Sequence, residues 1–115
     1  MSELVDSSGW IEYLQDTSRA ALFADAIEDH NTLLVPTMAL FEVHKVLSRR
    51  LPAELVERCR HVMRLGRVLD FTDARAIAAA QIAASHQLAM ADAAMYSMAQ
   101  DADYEGLLGG KYFAK

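Results

Sequence analysis

Thr32-Leu33-Leu34-Val35-Pro36-Thr37 decides the fold class. Its apolar core is long enough for a buried strand, and the proline that closes it cannot donate to a β-ladder. On its N-terminal side, Ala20-Ala21-Leu22-Phe23-Ala24-Asp25-Ala26-Ile27 reads as a helix that stops near Asp29-His30-Asn31. On its C-terminal side, Thr37 is placed to cap a helix over 38–50, with Met38, Phe41, Val46 and Leu47 along one flank. The same alternation continues outward. Glu3-Leu4-Val5-Asp6 is a short extended run halted by Ser7 and Ser8, after which Trp10, Ile11, Tyr13 and Leu14 recur at helical spacing. Leu51-Pro52 breaks the chain, and Pro52 opens an amphipathic helix over 53–65 at the first turn, where its missing N–H costs nothing. Gly66 reads as the stop of that helix and Arg67-Val68-Leu69-Asp70-Phe71 as a third strand. Thr72 or Asp73 caps an alanine-rich helix to about Gln87, and another helix runs from about Ala91 to Gln100. The stretch 101–110 is polar and glycine-containing, and Lys111-Tyr112-Phe113 is a last short strand. Strands separated by helical stretches of about a dozen residues predict an α/β fold with a mainly parallel sheet, here one domain over 1–115.

The composition of the 115 residues, 53% hydrophobic and 23% charged, supports a packed core and excludes a disordered or low-complexity chain. No apolar run approaches the roughly 18 to 20 residues of a membrane span, and the N-terminus lacks the basic-then-apolar layout of a secretion signal. A cytoplasmic protein with no membrane association is expected. Cys59 stands alone, which leaves no disulfide framework and no cysteine-based zinc site. The net charge of −5 argues against a nucleic-acid partner only until its distribution is seen. Residues 45–67 hold seven basic residues (Lys45, Arg49, Arg50, Arg58, Arg60, Arg64, Arg67) against Glu54 and Glu57, so one segment of +5 lies within an acidic chain. It is either the solvated face of a helix or a patch that meets phosphates or a partner's acids.

Three acids stand where acids are costly. Asp6 closes the first strand, where open α/β sheets gather ligand-binding groups, and could equally be the cap of the next helix. Glu42 has Met38 and Val46 at i−4 and i+4, so it lies on or beside an apolar flank; Lys45 at i+3 offers it a surface ion pair. Asp92 is the only charged residue from Gln87 to Gln100, and its competing role is also a cap. Two carboxylates about 5 Å apart repel by roughly 3 kcal/mol at an effective dielectric near 20, so a cluster takes up protons or holds a cation. All-oxygen donors select a hard ion such as Mg²⁺ or Mn²⁺. His30, His44, His61 and His86 show no metal-ligand spacing and read as surface or structural. A Mg²⁺ held by few carboxylates keeps waters, one of which can attack a phosphodiester.

At these residues the sequence resembles the PIN-domain ribonucleases, and among them the VapC-type toxins of type II toxin–antitoxin pairs. Val5-Asp6-Ser7-Ser8-Gly9-Trp10-Ile11 is similar to the family's opening strand and first acid. Val35-Pro36-Thr37 through Phe41-Glu42-Val43 is similar to its second acid block, and Leu88-Ala89-Met90-Ala91-Asp92-Ala93 to its third. Asp101-Ala102-Asp103-Tyr104-Glu105-Gly106-Leu107 resembles the fourth block, with Asp101 at the acid position. The resemblance implies a three-layer α/β/α fold, a Mg²⁺- or Mn²⁺-dependent endoribonuclease, an RNA substrate, a cognate antitoxin and a homodimer. On this reading Asp6, Glu42, Asp92 and Asp101 are the catalytic metal ligands and Ser8 a supporting hydroxyl.

The chain departs from the family between the third and fourth blocks, where members carry a turn and a further strand. Only residues 93–100 intervene here, about ten too few. An unbroken helix from Asp92 would carry Asp101 about 13 Å away, beyond the roughly 8 Å that a two-ion site spans. The expectation is a segment missing between Gln100 and Asp101, because a strand lost from mid-sheet leaves unpaired backbone. Two other functions fit the same residues: a non-catalytic interaction module in which the acids are caps and surface pairs, and a small phosphatase with Asp6 as nucleophile.

Overall fold

A computed structural model describes residues 3–102, 105–108 and 111–114, with side chains for 3–90 and 92–98. Eleven elements follow in the order β1 (Glu3–Val5), α1 (Ser7–Leu14), α2 (Ala21–Glu28), β2 (Leu33–Pro36), α3 (Thr37–Leu47), α4 (Ala53–Met63), β3 (Arg67–Leu69), α5 (Asp73–His86), α6 (Met90–Ala102), β4 (Glu105–Leu108) and β5 (Lys111–Ala114). They build one five-stranded sheet of order β3-β2-β1-β4-β5 flanked by helices, the α/β sandwich the sequence predicts. Strands β3, β2, β1 and β4 are parallel, and only β5 runs antiparallel, to β4.

The sheet is filled from both faces by apolar side chains. Leu4, Val5, Leu33, Leu34 and Val35 are buried along β1 and β2, and Trp10, Phe23, Ile27, Val43, Leu47, Met95 and Met98 pack with them from helices α1, α2, α3 and α6. All four residues of β2 are buried, as a continuous apolar run in a parallel sheet requires. Helix α1 packs unusually close because Gly9 has no side chain. A Cβ there would lie 2.7 Å from Val5 Cγ1 and 2.8 Å from Phe23 ring atoms. Among the described residues, no helix is long and apolar enough to cross a membrane.

Several local expectations are revised. Thr37 is the first residue of α3, whose cap position is held by Pro36, and the Thr37 hydroxyl accepts instead from the Phe71 N–H at 3.1 Å. That bond ties the segment after β3 to the start of α3. Gly66 does not end α4, which stops at Met63; it lets the chain pass Leu33, where a Cβ would come within 2.9 Å of the leucine side chain. The third strand is shorter than expected because Asp70 and Phe71 have already left the ladder.

The largest revision is β4. The stretch 101–110 reads as polar and glycine-containing, with no strand expected, yet Glu105–Leu108 pairs with β1 over Glu3, Leu4 and Val5. Helix α6 spans Met90–Ala102 and so includes the positions of Gln100 and Asp101. With β4 in place, β1 has a partner strand on each side.

Candidate active site

The sheet order reverses at β1. Strands β2 and β3 build outward from one edge of it and β4 and β5 from the other, so its carboxyl end opens on the switch point where α/β sheets bind ligands. Asp6 occupies that end. It is the cap of α1, its Oδ1 accepting the Gly9 N–H at 3.1 Å, and it is 4% exposed. The cap reading of Asp6 is borne out, and the residue also stands at the strand end that the ligand-binding reading requires. Capping alone does not explain the choice of residue, since a serine caps about as well and brings no buried charge.

Glu42 is half-buried on α3, and the Ser7 hydroxyl donates to its Oε1 at 2.7 Å across 35 residues of sequence. This bond joins the residue next to Asp6 to the second acid. The ion pair that Lys45 offered is not formed. Its ammonium lies 5.7 Å from the centre of the Phe41 ring, and among the described residues Glu42 makes no ion pair.

Asp92 is exposed in the first turn of α6, where the helix dipole favours a negative charge. Ala93 and Ala94 beside it are buried in a small cluster with Ala79, on which Met38 of α3 packs. Met38 lies one turn before Glu42, so the packing that seats the start of α6 also involves the helix carrying Glu42. Among the described residues, no three of His, Cys, Asp and Glu stand close enough together to hold a metal ion. What the fold assembles is Asp6, its neighbour Ser7 and the Glu42 that Ser7 reaches, with Asp92 exposed on an adjoining helix.

Asp101 stands nine residues after Asp92 on the same continuous helix, which sets its Cα about 13 Å along the axis and roughly 180° around it. The two positions lie on opposite sides of α6. The Asp101 side chain lies outside the described residues. Ser8 is exposed, and the hydroxyl that reaches an acid is that of Ser7. The sequence held no signal to choose between them. The choice rests on α1 starting at Ser7. All four histidines are exposed, as their spacing implied.

The donor set is oxygen only, the hydroxyl beside Asp6 reaches Glu42, and Asp92 is exposed, a combination that suits a hard divalent ion. The family model of the PIN domain matches residues 4–107, and the chain belongs to that family. Among solved structures, it is similar to a toxin–antitoxin complex from Klebsiella pneumoniae, with a TM-score of 0.78 and 16% identity over 93% of this chain and 85% of that one. It is also similar to VapC20 of Mycobacterium tuberculosis, described as a sarcin-ricin loop cleaving toxin, with a TM-score of 0.73 and 16% identity over 88% and 83% of the two chains. No curated protein sequence matches the chain.

Proposed function

We propose that this PIN domain is a metal-dependent endoribonuclease acting as the toxin of a toxin–antitoxin pair, with Asp6, Glu42 and Asp92 as the ligands of Mg²⁺ or Mn²⁺. The observation that carries the reading is the Ser7–Glu42 hydrogen bond, which fastens the second acid to the neighbour of a buried carboxylate at the end of the central strand. Family membership and the toxin neighbours support it. A cognate antitoxin as partner is part of the same proposal, supported by the Klebsiella complex.

Each residue has a distinct task. Asp6 is the fixed point, held by the Gly9 N–H and by burial. Ser7 removes rotamer freedom from Glu42, so less order must be imposed when a ligand arrives. Asp92 keeps its freedom at the solvent side, and like-charge repulsion holds it off the other acids until a cation compensates it. A bound divalent ion supplies Lewis-acid stabilisation of charge on the phosphate and a more acidic water. Asp101 has no task in this arrangement.

Incubating the protein with a panel of structured RNAs in Mg²⁺ or Mn²⁺, beside Asp92→Asn, tests the assignment; cleavage by the parent alone is expected. Ser7→Ala tests the anchoring. It is expected to weaken Mn²⁺ binding by about tenfold, the lower range for loss of an outer partner of a metal ligand, with Ser7→Thr close to the parent. Calorimetric Mn²⁺ titration of the three proteins reads this, and equal affinities would show that the hydroxyl does not position Glu42.

A further inference from the structure

Phe41 directly precedes the second acid, Glu42, and 60% of its surface is exposed. The other exposed large apolar side chains among the described residues are Leu22, Leu55, Leu65, Ile77 and Met90, so Phe41 alone among them carries an aromatic ring. A single exposed leucine needs no explanation, whereas a ring beside a charged centre presents a flat π-face to whatever reaches that centre. Lys45, one turn further along α3, sets its ammonium 5.7 Å from the ring centre and makes no ion pair among the described residues. Successive side chains on a helix diverge by about 100°, and on an overall diameter of about 10–12 Å their tips stand roughly 8 Å apart. Ring, cation and acid therefore adjoin on one stretch of α3.

Resting on the ribonuclease reading and deepening it, we propose that Phe41 and Lys45 form a nucleotide subsite, in which an unpaired base of the RNA stacks on the Phe41 ring and Lys45 meets an adjoining phosphate. Three observations carry this. The roughly 8 Å between ring and carboxylate is comparable to the step from a phosphate to a neighbouring base, so a strand with a phosphate at Asp6 and Glu42 brings a base to Phe41. The acids of the site repel a polyanion, and Lys45 is a cation at their edge with no carboxylate partner among the described residues, left to receive a phosphate. The exposed ring, finally, rewards a base only if its face is open, and in a duplex that face is already covered by its neighbours. Every base has such a face, so Phe41 selects an unpaired strand rather than a sequence.

Phe41→Trp places an exposed indole at the ring position, while Trp10 is fully buried and stays a constant background. Titration with oligoadenylate in Mg²⁺ is expected to quench the added emission; inorganic polyphosphate, and oligoadenylate paired with oligouridylate, are expected to leave it unchanged. Adding Lys45→Gln to that variant is expected to lower the slope of log affinity against log salt by about 0.7, the value of one phosphate contact on a single strand. In cleavage of the most rapidly cut RNA, Phe41→Ala is expected to raise KM about tenfold, and Leu22→Ala, a control on another exposed apolar residue, to match the parent. Emission unchanged by oligoadenylate, quenching as strong with polyphosphate or duplex, an unaltered salt slope, or a KM unchanged in Phe41→Ala each overturns the proposal. The metal assignment is read separately, by the Mn²⁺-dependent rise in melting temperature of the Phe41 variants. A parent that cuts no RNA while oligoadenylate still quenches Phe41→Trp sinks the nuclease assignment and keeps the base-stacking subsite.

Discussion

Asp92→Asn is expected to fold as the parent does and to cut RNA about a thousandfold more slowly. The two halves of this expectation have different sources. Asp92 is exposed, and its contribution to the fold is its favourable place near the positive end of α6, worth about 0.3–1 kcal/mol. Asparagine keeps the shape and loses the charge. A divalent ion contributes several kcal/mol of transition-state stabilisation, and at about 1.4 kcal/mol per factor of ten a loss of about 4 kcal/mol gives the thousandfold effect. The chemical effect therefore exceeds the structural one several-fold. Initial rates on the most rapidly cut RNA, with melting curves of both proteins, check it; equal rates would remove Asp92 from the chemistry.

Trp10→Ala should produce the largest change in stability. Trp10 is fully buried in the main core, on the helix that Asp6 caps. Removing a buried tryptophan side chain costs about 3–5 kcal/mol. One feature lowers the expected figure toward the bottom of that range: among the described residues the indole N–H has no hydrogen-bond partner, a burial that itself costs about 1–3 kcal/mol. A loss of about 3 kcal/mol corresponds to a fall in Tm of about 12 °C for a domain of this size. Trp10→Phe gives up less volume and also removes the orphan donor, so it is expected to stay within about 1 kcal/mol of the parent. Thermal melts of the three proteins decide this. A phenylalanine variant as unstable as the alanine one would mean that the indole N–H is satisfied.

What the sequence made legible is what local pattern controls. Leu33 to Pro36 reads as a buried strand because its residues say so without reference to partners, and Pro52 marks the start of α4 for a reason internal to the proline ring. Asp6 was visible as an acid closing a strand. Strand β4 was not visible, since Glu105-Gly106-Leu107-Leu108 has no β-branched residue and contains a glycine; its pairing is imposed by the open edge of β1. The partner of Glu42 was hidden for a similar reason. Helical spacing offers Lys45, whereas the hydroxyl that reaches the carboxylate comes from 35 residues away and depends on how α1 packs against α3. Thr37 shows the same limit, its capping chemistry being spent on Phe71 across the sheet. The separation of Asp101 from Asp92 was foreseeable from helix geometry once the helix was known to continue.

The central claim is that carboxylates from β1, α3 and α6 converge on one divalent ion. Melting temperature against Mn²⁺ concentration tests it without any assumption about substrate. At about a hundred times the dissociation constant, binding to the folded state alone adds roughly 2.7 kcal/mol, which raises Tm by about 10 °C for a domain of this size. The parent is predicted to show that rise, and Glu42→Gln and Asp92→Asn each to lose most of it. A parent whose melting temperature does not respond to Mn²⁺, or a rise that survives in both variants, would contradict the account.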